Sequence, residues 1–235
     1  MQFFFVNKLN DNTLILQEME YHHCIKVLRN KVGDEVWGID GIGNSYKSVI
    51  QYIENEIVHL LIQNTFQNVG ELKNKTALAF GLLKDKERME WMVEKATELG
   101  VFEMYPLVCE HCERKEWKMD RAEKIILSAV KQSKRSYIPK IHLPQDISLF
   151  INTLPNLFSL KLVAYCDAQP ILQTFQYQLI NQNCLYFIGP EGDFSISEIE
   201  SMKKANIQEI SLGNVRLRSE TAVIHLLSIS KFLNS

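Results

Sequence analysis

Short alternating runs of apolar residues dominate the first 66 residues of the chain. Three of these runs have the length and composition of β-strands: residues 35–39, 46–53 and 57–63. Asp40-Gly-Ile-Gly-Asn44 separates the first two runs, and its glycines permit the positive φ angles of a tight hairpin turn. Residues 20–29 instead carry apolar side chains at helical spacing. The pattern predicts a small β-barrel or sandwich containing one short helix.

From Thr76 onward, strand-like and helix-like segments alternate. Apolar runs predict strands at residues 76–82, 101–108, 161–166, 184–188 and 207–212. Helical spacing predicts helices at residues 85–99, 120–133, 195–206 and 220–233, and Ser195-Ile-Ser-Glu198 is a capping box at the start of the third. This alternation is typical of a parallel sheet covered by helices. Residues 64–75 form the junction between the two regions.

Composition places the chain among globular proteins. It has 235 residues, of which 46% are hydrophobic, enough for one large domain or two small ones. No apolar run is long enough to span a membrane, and the first residues lack the basic start and cleavage site of a signal peptide. We therefore expect a soluble cytoplasmic protein, away from membranes, whose five cysteines stay reduced.

The charge is unevenly distributed. A net charge of −2 argues against strong non-specific binding to nucleic acid. Residues 124–145, however, contain no acidic side chain and five basic ones: Lys124, Lys131, Lys134, Arg135 and Lys140. This basic stretch is either a footprint for phosphate groups or a solvated helix face followed by a loop.

Two glycine-containing loops each follow a predicted strand and precede a predicted helix. The first begins Gly189-Pro-Glu-Gly-Asp193, and the second runs from Leu212-Gly213 to Arg218-Ser-Glu-Thr221. Ligands of parallel sheets bind at the carboxyl ends of strands, where glycine lets the backbone approach them. A cation such as Arg218 is unfavourable at a helix start, which indicates either a functional role or a salt bridge with Glu220 or Glu191.

Other kinds of site fit the sequence poorly. The glycine patterns of dinucleotide and nucleoside triphosphate sites are absent, and so is the G-x-S-x-G motif of serine hydrolases. Cys109-Glu-His-Cys112 has the spacing of half a zinc site, but no second Cys/His pair lies at the usual distance. We therefore expect no metal.

Five motifs in order resemble the RsmE family, bacterial methyltransferases of the SPOUT class that modify N3 of a uridine in small-subunit (16S) ribosomal RNA. The motifs are His22-His23-x-x-x-Val27-Leu28-Arg29; Lys84 to Glu90 with Lys95-x-x-Glu98-Leu99-Gly100; Ala129-x-x-Gln132-Ser133-x-Arg135 with Pro139; Gly189-Pro-Glu-Gly192 with Phe194-Ser-x-x-Glu198; and Leu212-Gly213 with Leu217-Arg218-x-Glu220-Thr221-Ala222. Two positions depart from the family pattern. Asp193 stands where a second glycine is usual, and Val215 stands where arginine is frequent, the nearest arginine being Arg216.

The resemblance implies a PUA-like β-barrel RNA-binding domain over residues 1–68 and a SPOUT methyltransferase domain over residues 72–235. The implied fold class is α/β, a trefoil-knotted parallel sheet flanked by helices. The knot would bring the two glycine-containing loops together around S-adenosylmethionine, with no metal. A homodimer is also implied.

The resemblance further implies roles for individual residues. The cofactor-binding residues are Ile188, Gly189, Glu191, Gly192, Leu212, Gly213, Val215, Leu217 and Thr221. The catalytic candidates are Arg218, holding the negative charge that develops on uracil, and Glu220, which with Glu191 is a candidate either for the base or for orienting Arg218. The residues expected to contact RNA are Arg29, Lys84, Gln132, Lys134 and Arg135.

We therefore expect methyl transfer from S-adenosylmethionine to N3 of a uridine in 16S rRNA, either free or within the small ribosomal subunit. N3 lies on the Watson–Crick edge, so the target base has to be unpaired or flipped out. Two alternatives remain open. One is a ribose 2′-O methyltransferase acting on rRNA or tRNA, and the other is an RNA-binding assembly factor without transfer activity.

Overall fold

A computed structural model describes residues 2–166, 168 and 179–234 of the chain. The chain divides into two compact units, one formed by Met1–Glu71 with Leu127–Ile138 and the other by Leu72–Ile126 with Pro139–Ser235. The division after Glu71 falls within the junction at residues 64–75. No pattern in the sequence indicated that Leu127–Ile138 groups with the first unit.

The first unit contains a curled six-stranded sheet with the strand order β1-β4-β5-β6-β3-β2. Strands β1 and β4 pair in parallel, and the other neighbours pair antiparallel. The strands are β1 (Phe3–Phe5), β2 (Asn7–Lys8), β3 (Thr13–Leu16), β4 (Glu35–Ile39), β5 (Asn44–Glu54) and β6 (Ile57–Gln67). The three predicted strands and the hairpin turn are confirmed. Strands β1 to β3 were not predicted, because they are too short to show the alternation of apolar and polar residues that marks a strand.

The predicted helix in this region is present but is wound differently. A four-residue helix, α1 (Glu18–Tyr21), continues into a π-helical segment, His22–Val27. Behind it, alternate residues of the strands point inward and form an apolar core that includes Phe4, Leu14, Leu16, Ile50 and Leu60. Each such side chain contributes roughly 1.5–3 kcal/mol when it is removed from water, so this core stabilises the sheet.

A buried ion pair ties Leu127–Ile138 to the rest of the first unit. The Arg135 side chain is 2% exposed, and its Nη2 lies 2.6 Å from Oε2 of Glu71. Oε1 of Glu71 accepts hydrogen bonds from the backbone N–H groups of Ser136 and Tyr137, at 3.0 and 2.9 Å. The structure thus corrects the predicted RNA contact of Arg135, because a buried guanidinium bound to a carboxylate is not available to a phosphate group.

The second unit contains a parallel sheet with the strand order β10-β8-β7-β12-β11-β13, and β9 pairs with β8. The strands are β7 (Thr76–Gly81), β8 (Glu103–Val108), β9 (Lys140–Ile141), β10 (Gln145–Asp146), β11 (Leu160–Ala164), β12 (Cys184–Ile188) and β13 (Gln208–Ile210). The helices that begin in this unit are α2 (Lys86–Glu98), α3 (Met119–Ser133), α4 (Ile147–Asn152), α5 (Ile196–Lys204) and α6 (Ser219–Asn234), and the part of α3 from Leu127 onward groups with the first unit. The strands and helices predicted for this region are confirmed, and so is the capping box at Ser195. The short elements β9, β10 and α4 were not predicted.

The carboxyl ends of four strands meet at one edge of this sheet. Ala164 of β11 aligns with Ile188 of β12 and with Ile210 of β13, and Ile188 aligns with Phe80 of β7. Because all these pairs are parallel, the loops that follow the four strands leave the sheet at the same edge. This is where parallel sheets bind their ligands.

Candidate active site

A cavity of about 880 Å³ opens at this edge of the parallel sheet. The loops after β7, β11, β12 and β13 line it, with residues 85, 88, 164–166, 188–191, 193, 211–219 and 222. The volume suits a small-molecule ligand. The two glycine-containing loops therefore lie together, as the implied knot requires.

Most of the predicted cofactor-binding residues border this larger cavity. Those on its lining are Ile188, Gly189, Glu191, Leu212, Gly213, Val215 and Leu217. Gly192 instead lines an adjoining cavity of about 590 Å³. Thr221 is exposed in the first turn of α6 and lines neither cavity.

Two glycines shape the larger cavity in different ways. Gly213 has a φ of +125°, and a Cβ built on it would meet no atom within 4 Å. The space beside its backbone is therefore open. At Gly189, by contrast, a Cβ would lie 2.8 Å from Oδ1 of Asp193, so glycine lets this loop fold closely on itself.

Arg218 borders the larger cavity with an exposed side chain. Its guanidinium forms no hydrogen bond or ion pair with any residue in the described part of the chain. The salt bridge that would have given Arg218 a purely structural role is made by a different residue, Arg88. Arg218 therefore keeps its hydrogen-bond donors for a ligand.

Arg88, on α2, holds both carboxylates that had been considered as partners of Arg218. Its Nε lies 2.8 Å from Oε1 of Glu220 and its Nη2 lies 2.5 Å from Oε2. Its Nη1 lies 3.4 Å from Oε1 of Glu191. The sequence motif at residues 84–90 contains Arg88, but nothing in it indicated a partner 132 positions away.

This clamp changes the interpretation of Glu220. Burial raises the pKa of Glu220, but the hydrogen bonds and charge of Arg88, with the nearby charge of Arg218, outweigh burial and leave the pKa below its ordinary value. The carboxylate is ionised, and Arg88 binds both of its oxygens. Glu220 is therefore better placed to hold Arg88 than to accept a proton.

The Cys109-Glu-His-Cys112 turn packs against the loop that follows β12. Nδ1 of His111 lies 3.0 Å from the carbonyl oxygen of Gly192 and 3.1 Å from that of Asp193. The backbone N–H of Glu110 donates to Oε1 of Glu198 at 2.8 Å. Within the described residues, no group of three or more side chains is arranged to hold a metal ion. The turn supports the loop.

The remaining residues predicted to contact RNA are exposed. Arg29, Gln132 and Lys134 belong to the first unit, and Lys84 belongs to the second. Nζ of Lys84 lies 2.9 Å from Oε2 of Glu113, but both side chains are well exposed, at 70% and 65%. Exposed pairs of this kind are weak, so Lys84 can exchange Glu113 for a phosphate at little cost.

Comparison with known proteins agrees with this geometry. A family model described as the RNA methyltransferase domain matches residues 70–231, and one described as the RNA methyltransferase PUA domain matches residues 16–63. A ribosomal RNA small subunit methyltransferase E from Mesomycoplasma hyopneumoniae is 34% identical over 96% of each chain. The chain belongs to the ribosomal RNA small subunit methyltransferase E family. Its membership confirms the resemblance carried by the five motifs.

Solved structures confirm the fold class for this methyltransferase E family member. A probable rRNA methyltransferase from Porphyromonas gingivalis is 31% identical, with a TM-score of 0.87 over 100% of this chain and 98% of the other. A methyltransferase from Legionella pneumophila in complex with SAM is 27% identical, with a TM-score of 0.83 over 98% and 96% of the two chains. The fold is an α/β parallel sheet flanked by helices and preceded by a PUA-like domain. No helix in the described part of the chain is both long and apolar enough to cross a membrane.

Proposed function

We propose that this member of the methyltransferase E family transfers a methyl group from S-adenosylmethionine to N3 of a uridine in 16S rRNA. The observation that carries the proposal is an uncommitted arginine, Arg218, on the wall of a cavity formed by two glycine-containing loops. We also propose that residues 1–68 and 72–235 act as the RNA-binding and catalytic domains. A cytoplasmic homodimer is part of the same proposal.

The residues around the larger cavity fit S-adenosylmethionine. Its volume of about 880 Å³ is ample for a nucleoside carrying an amino-acid chain. The open space beside Gly213 lets the backbone of residues 212–217 meet a flat base, while Ile188 and Val215 supply apolar contacts. A relative of the same fold, the Legionella pneumophila methyltransferase, is described with SAM bound.

Arg218 has the chemistry that the acceptor requires. S-adenosylmethionine supplies a methyl group on a sulfonium cation, so the transfer needs alignment with the nucleophile and no metal. N3 of uridine carries a proton that passes to solvent at the open cavity when the N3–C bond forms and the S–C bond breaks, and the loss of that proton spreads negative charge onto O2 and O4. A guanidinium presents parallel N–H donors that stabilise such charge in the transition state. Arg218 is therefore the catalytic residue.

Arg88 and Glu220 are positioning residues that hold the segment carrying Arg218 in place. Their paired hydrogen bonds join α2 to the first turn of α6, directly after Arg218. The same guanidinium reaches Glu191, whose oxygens accept from the backbone N–H of Lys84 at 3.2 and 3.3 Å. This network fixes the two loops relative to each other and leaves Arg218 free to face the acceptor.

The experiment that tests the function identifies the modified nucleoside. The protein is incubated with labelled S-adenosylmethionine and either small ribosomal subunits or free 16S rRNA, and the RNA is digested to nucleosides for mass spectrometry. We expect 3-methyluridine, formed about a hundred- to a thousand-fold more slowly with Arg218→Ala. A 2′-O-methylated nucleoside would support the ribose methyltransferase instead. RNA binding with no methylation would support an assembly factor.

A further inference from the structure

Asp193 occupies the wall between the two cavities of the second unit. Among the described residues, those that line both cavities are Tyr165, Cys166, Asp193 and Arg216. Asp193 is the acidic member of this set.

The backbone and carboxylate of Asp193 are held in place. Its φ of +61° is left-handed, a conformation that aspartate tolerates better than most residues. Oδ1 accepts a hydrogen bond from the backbone N–H of Phe194 at 2.8 Å, and Oδ2 accepts one from that of Cys166 at 3.4 Å. His111 Nδ1 contacts the carbonyl oxygen of Asp193 at 3.1 Å. The carboxylate thus has a fixed place at the cavity wall.

The negative charge of Asp193 is also uncommitted. Glu191, the other carboxylate of the same loop, shares Arg88 with Glu220. Asp85 lines the larger cavity too, but it caps α2, where the positive end of the helix dipole offsets its charge. Within the described part of the chain, Asp193 accepts hydrogen bonds only from backbone N–H groups. It is therefore the carboxylate best able to act on a cation in the cavity.

We propose that Asp193 makes the cavity selective for the cationic methyl donor over its neutral product. The proposal rests on the proposed function. S-adenosylmethionine and S-adenosylhomocysteine share the adenosine, the ammonium and the carboxylate, and they differ in the methyl group and in the positive charge on sulfur. A half-buried carboxylate attracts the sulfonium and has no comparable attraction for the thioether. Asp193 favours donor loading and, once the methyl has left, product release.

The location of Asp193 supports this selectivity. Asp193 lines the larger cavity together with Arg218, the residue proposed to face the acceptor, so the methyl group that the donor presents to the acceptor lies in the same cavity as this carboxylate. Asp193 also stands on the wall shared with the adjoining cavity, where its carboxylate can act on a positive charge inside the larger cavity. Arg216 at the same wall has the opposite charge, so the net field at sulfur depends on the presence of Asp193.

The test compares the affinities of donor and product by titration calorimetry. Asp193→Asn is the informative variant, because asparagine tolerates the left-handed backbone and can still accept from Phe194, and only the charge is lost. We expect donor binding to weaken on the order of tenfold while product binding changes by less than about twofold. Asp193→Gly, which also removes the left-handed strain, should show the same loss of preference. Glu200→Gln, an exposed acid on α5 that lines neither cavity, should change neither affinity.

The outcomes separate this inference from the proposed function. Equal weakening of both ligands by Asp193→Asn would show that the residue shapes the loop or binds the ammonium that both ligands share, and that it does not distinguish the sulfonium from the thioether. Unchanged affinities would show that its charge does not reach the sulfur. Either result overturns the inference while the wild-type protein still binds the donor. A wild-type protein that binds neither ligand would instead overturn the proposed function.

Discussion

The basic stretch at residues 124–145 and the loop at residues 211–219 both carry conspicuous cations, but the structure uses them differently. In the basic stretch, Arg135 binds Glu71, and Lys131 lies 2.7 Å from Oε1 of Glu20. In the loop, Arg216 and Arg218 remain exposed and pair with no described residue. Two of the five cations of the stretch therefore stabilise the first unit, whereas both arginines of the loop are available to a ligand.

The difference follows from where carboxylates lie. Burying a guanidinium costs several kcal/mol unless a carboxylate and further hydrogen bonds compensate it, as Glu71 does for Arg135. Near Arg218, both available carboxylates are already bound to Arg88. Because Arg88 binds Glu191 and Glu220, Arg218 does not form a salt bridge with either of them, and its guanidinium stays available to a ligand. Arg218 can act on a ligand because Arg88 neutralises the two nearest carboxylates.

The largest effect on stability should come from breaking the Arg135 pair. Arg135→Ala leaves the carboxylate of Glu71, only 12% exposed, without its cation, which typically costs about 3–5 kcal/mol. We expect that loss in the free energy of unfolding measured by urea denaturation. Arg29→Ala, at an exposed position, is the control and should change stability by less than about 0.5 kcal/mol. Equal stability of the two variants would mean that Arg135 is no more structural than a surface cation.

The largest effect on activity should come from Arg218. Arg218→Ala removes the donor to the developing negative charge, and we expect the single-turnover rate at saturating donor and RNA to fall about a hundred- to a thousand-fold. Arg218→Lys keeps the charge but loses the planar fork and should also be strongly impaired. Arg121→Ala, at an exposed arginine of α3 that lines neither cavity, is the control and should keep a near-normal rate. Weakened RNA binding with a nearly normal rate in Arg218→Ala would make the residue a binding contact.

These two arginines also show how far the sequence allowed prediction. The position of Arg218 is encoded locally, by a strand, a glycine and a helix start within a dozen residues, and the corresponding elements and loops were predicted correctly. Arg135 and Arg88 instead pair with Glu71 and Glu220, which lie 64 and 132 positions away. Neither the charge pattern nor the hydrophobic periodicity of a sequence shows which distant carboxylate will form an ion pair with an arginine. The same limit concealed the grouping of Leu127–Ile138 with the first unit.

A smaller effect is expected from closing the space beside Gly213. Gly213→Ala places a methyl group where the backbone would meet the donor, and we expect donor affinity to fall about tenfold by calorimetry. Gly33→Ala is a matched control, since Gly33 also has a positive φ, +93°, and an open Cβ position, but lies in the first unit. Both variants carry backbone strain of about 1–3 kcal/mol, so affinities are compared per folded molecule. Equal donor affinity in the two variants would place the donor elsewhere.

The smallest effect should come from Lys134, which with Lys124 and Lys140 is one of the three exposed cations of the basic stretch that pair with no described carboxylate. Lys134 is exposed, with a left-handed φ of +60°, and its side chain meets no described carboxylate, whereas Lys131 is bound to Glu20. Lys134→Asn suits the left-handed backbone and removes the charge, so the log–log slope of RNA affinity against salt should flatten by about 0.7–0.9. Lys131→Gln should change this slope less, because Glu20 already neutralises the lysine. Donor affinity should stay constant in both variants. Equal slopes for Lys134→Asn and the wild-type protein would show that Lys134 contacts only solvent. Cations available to a ligand would then be confined to the loop at residues 211–219.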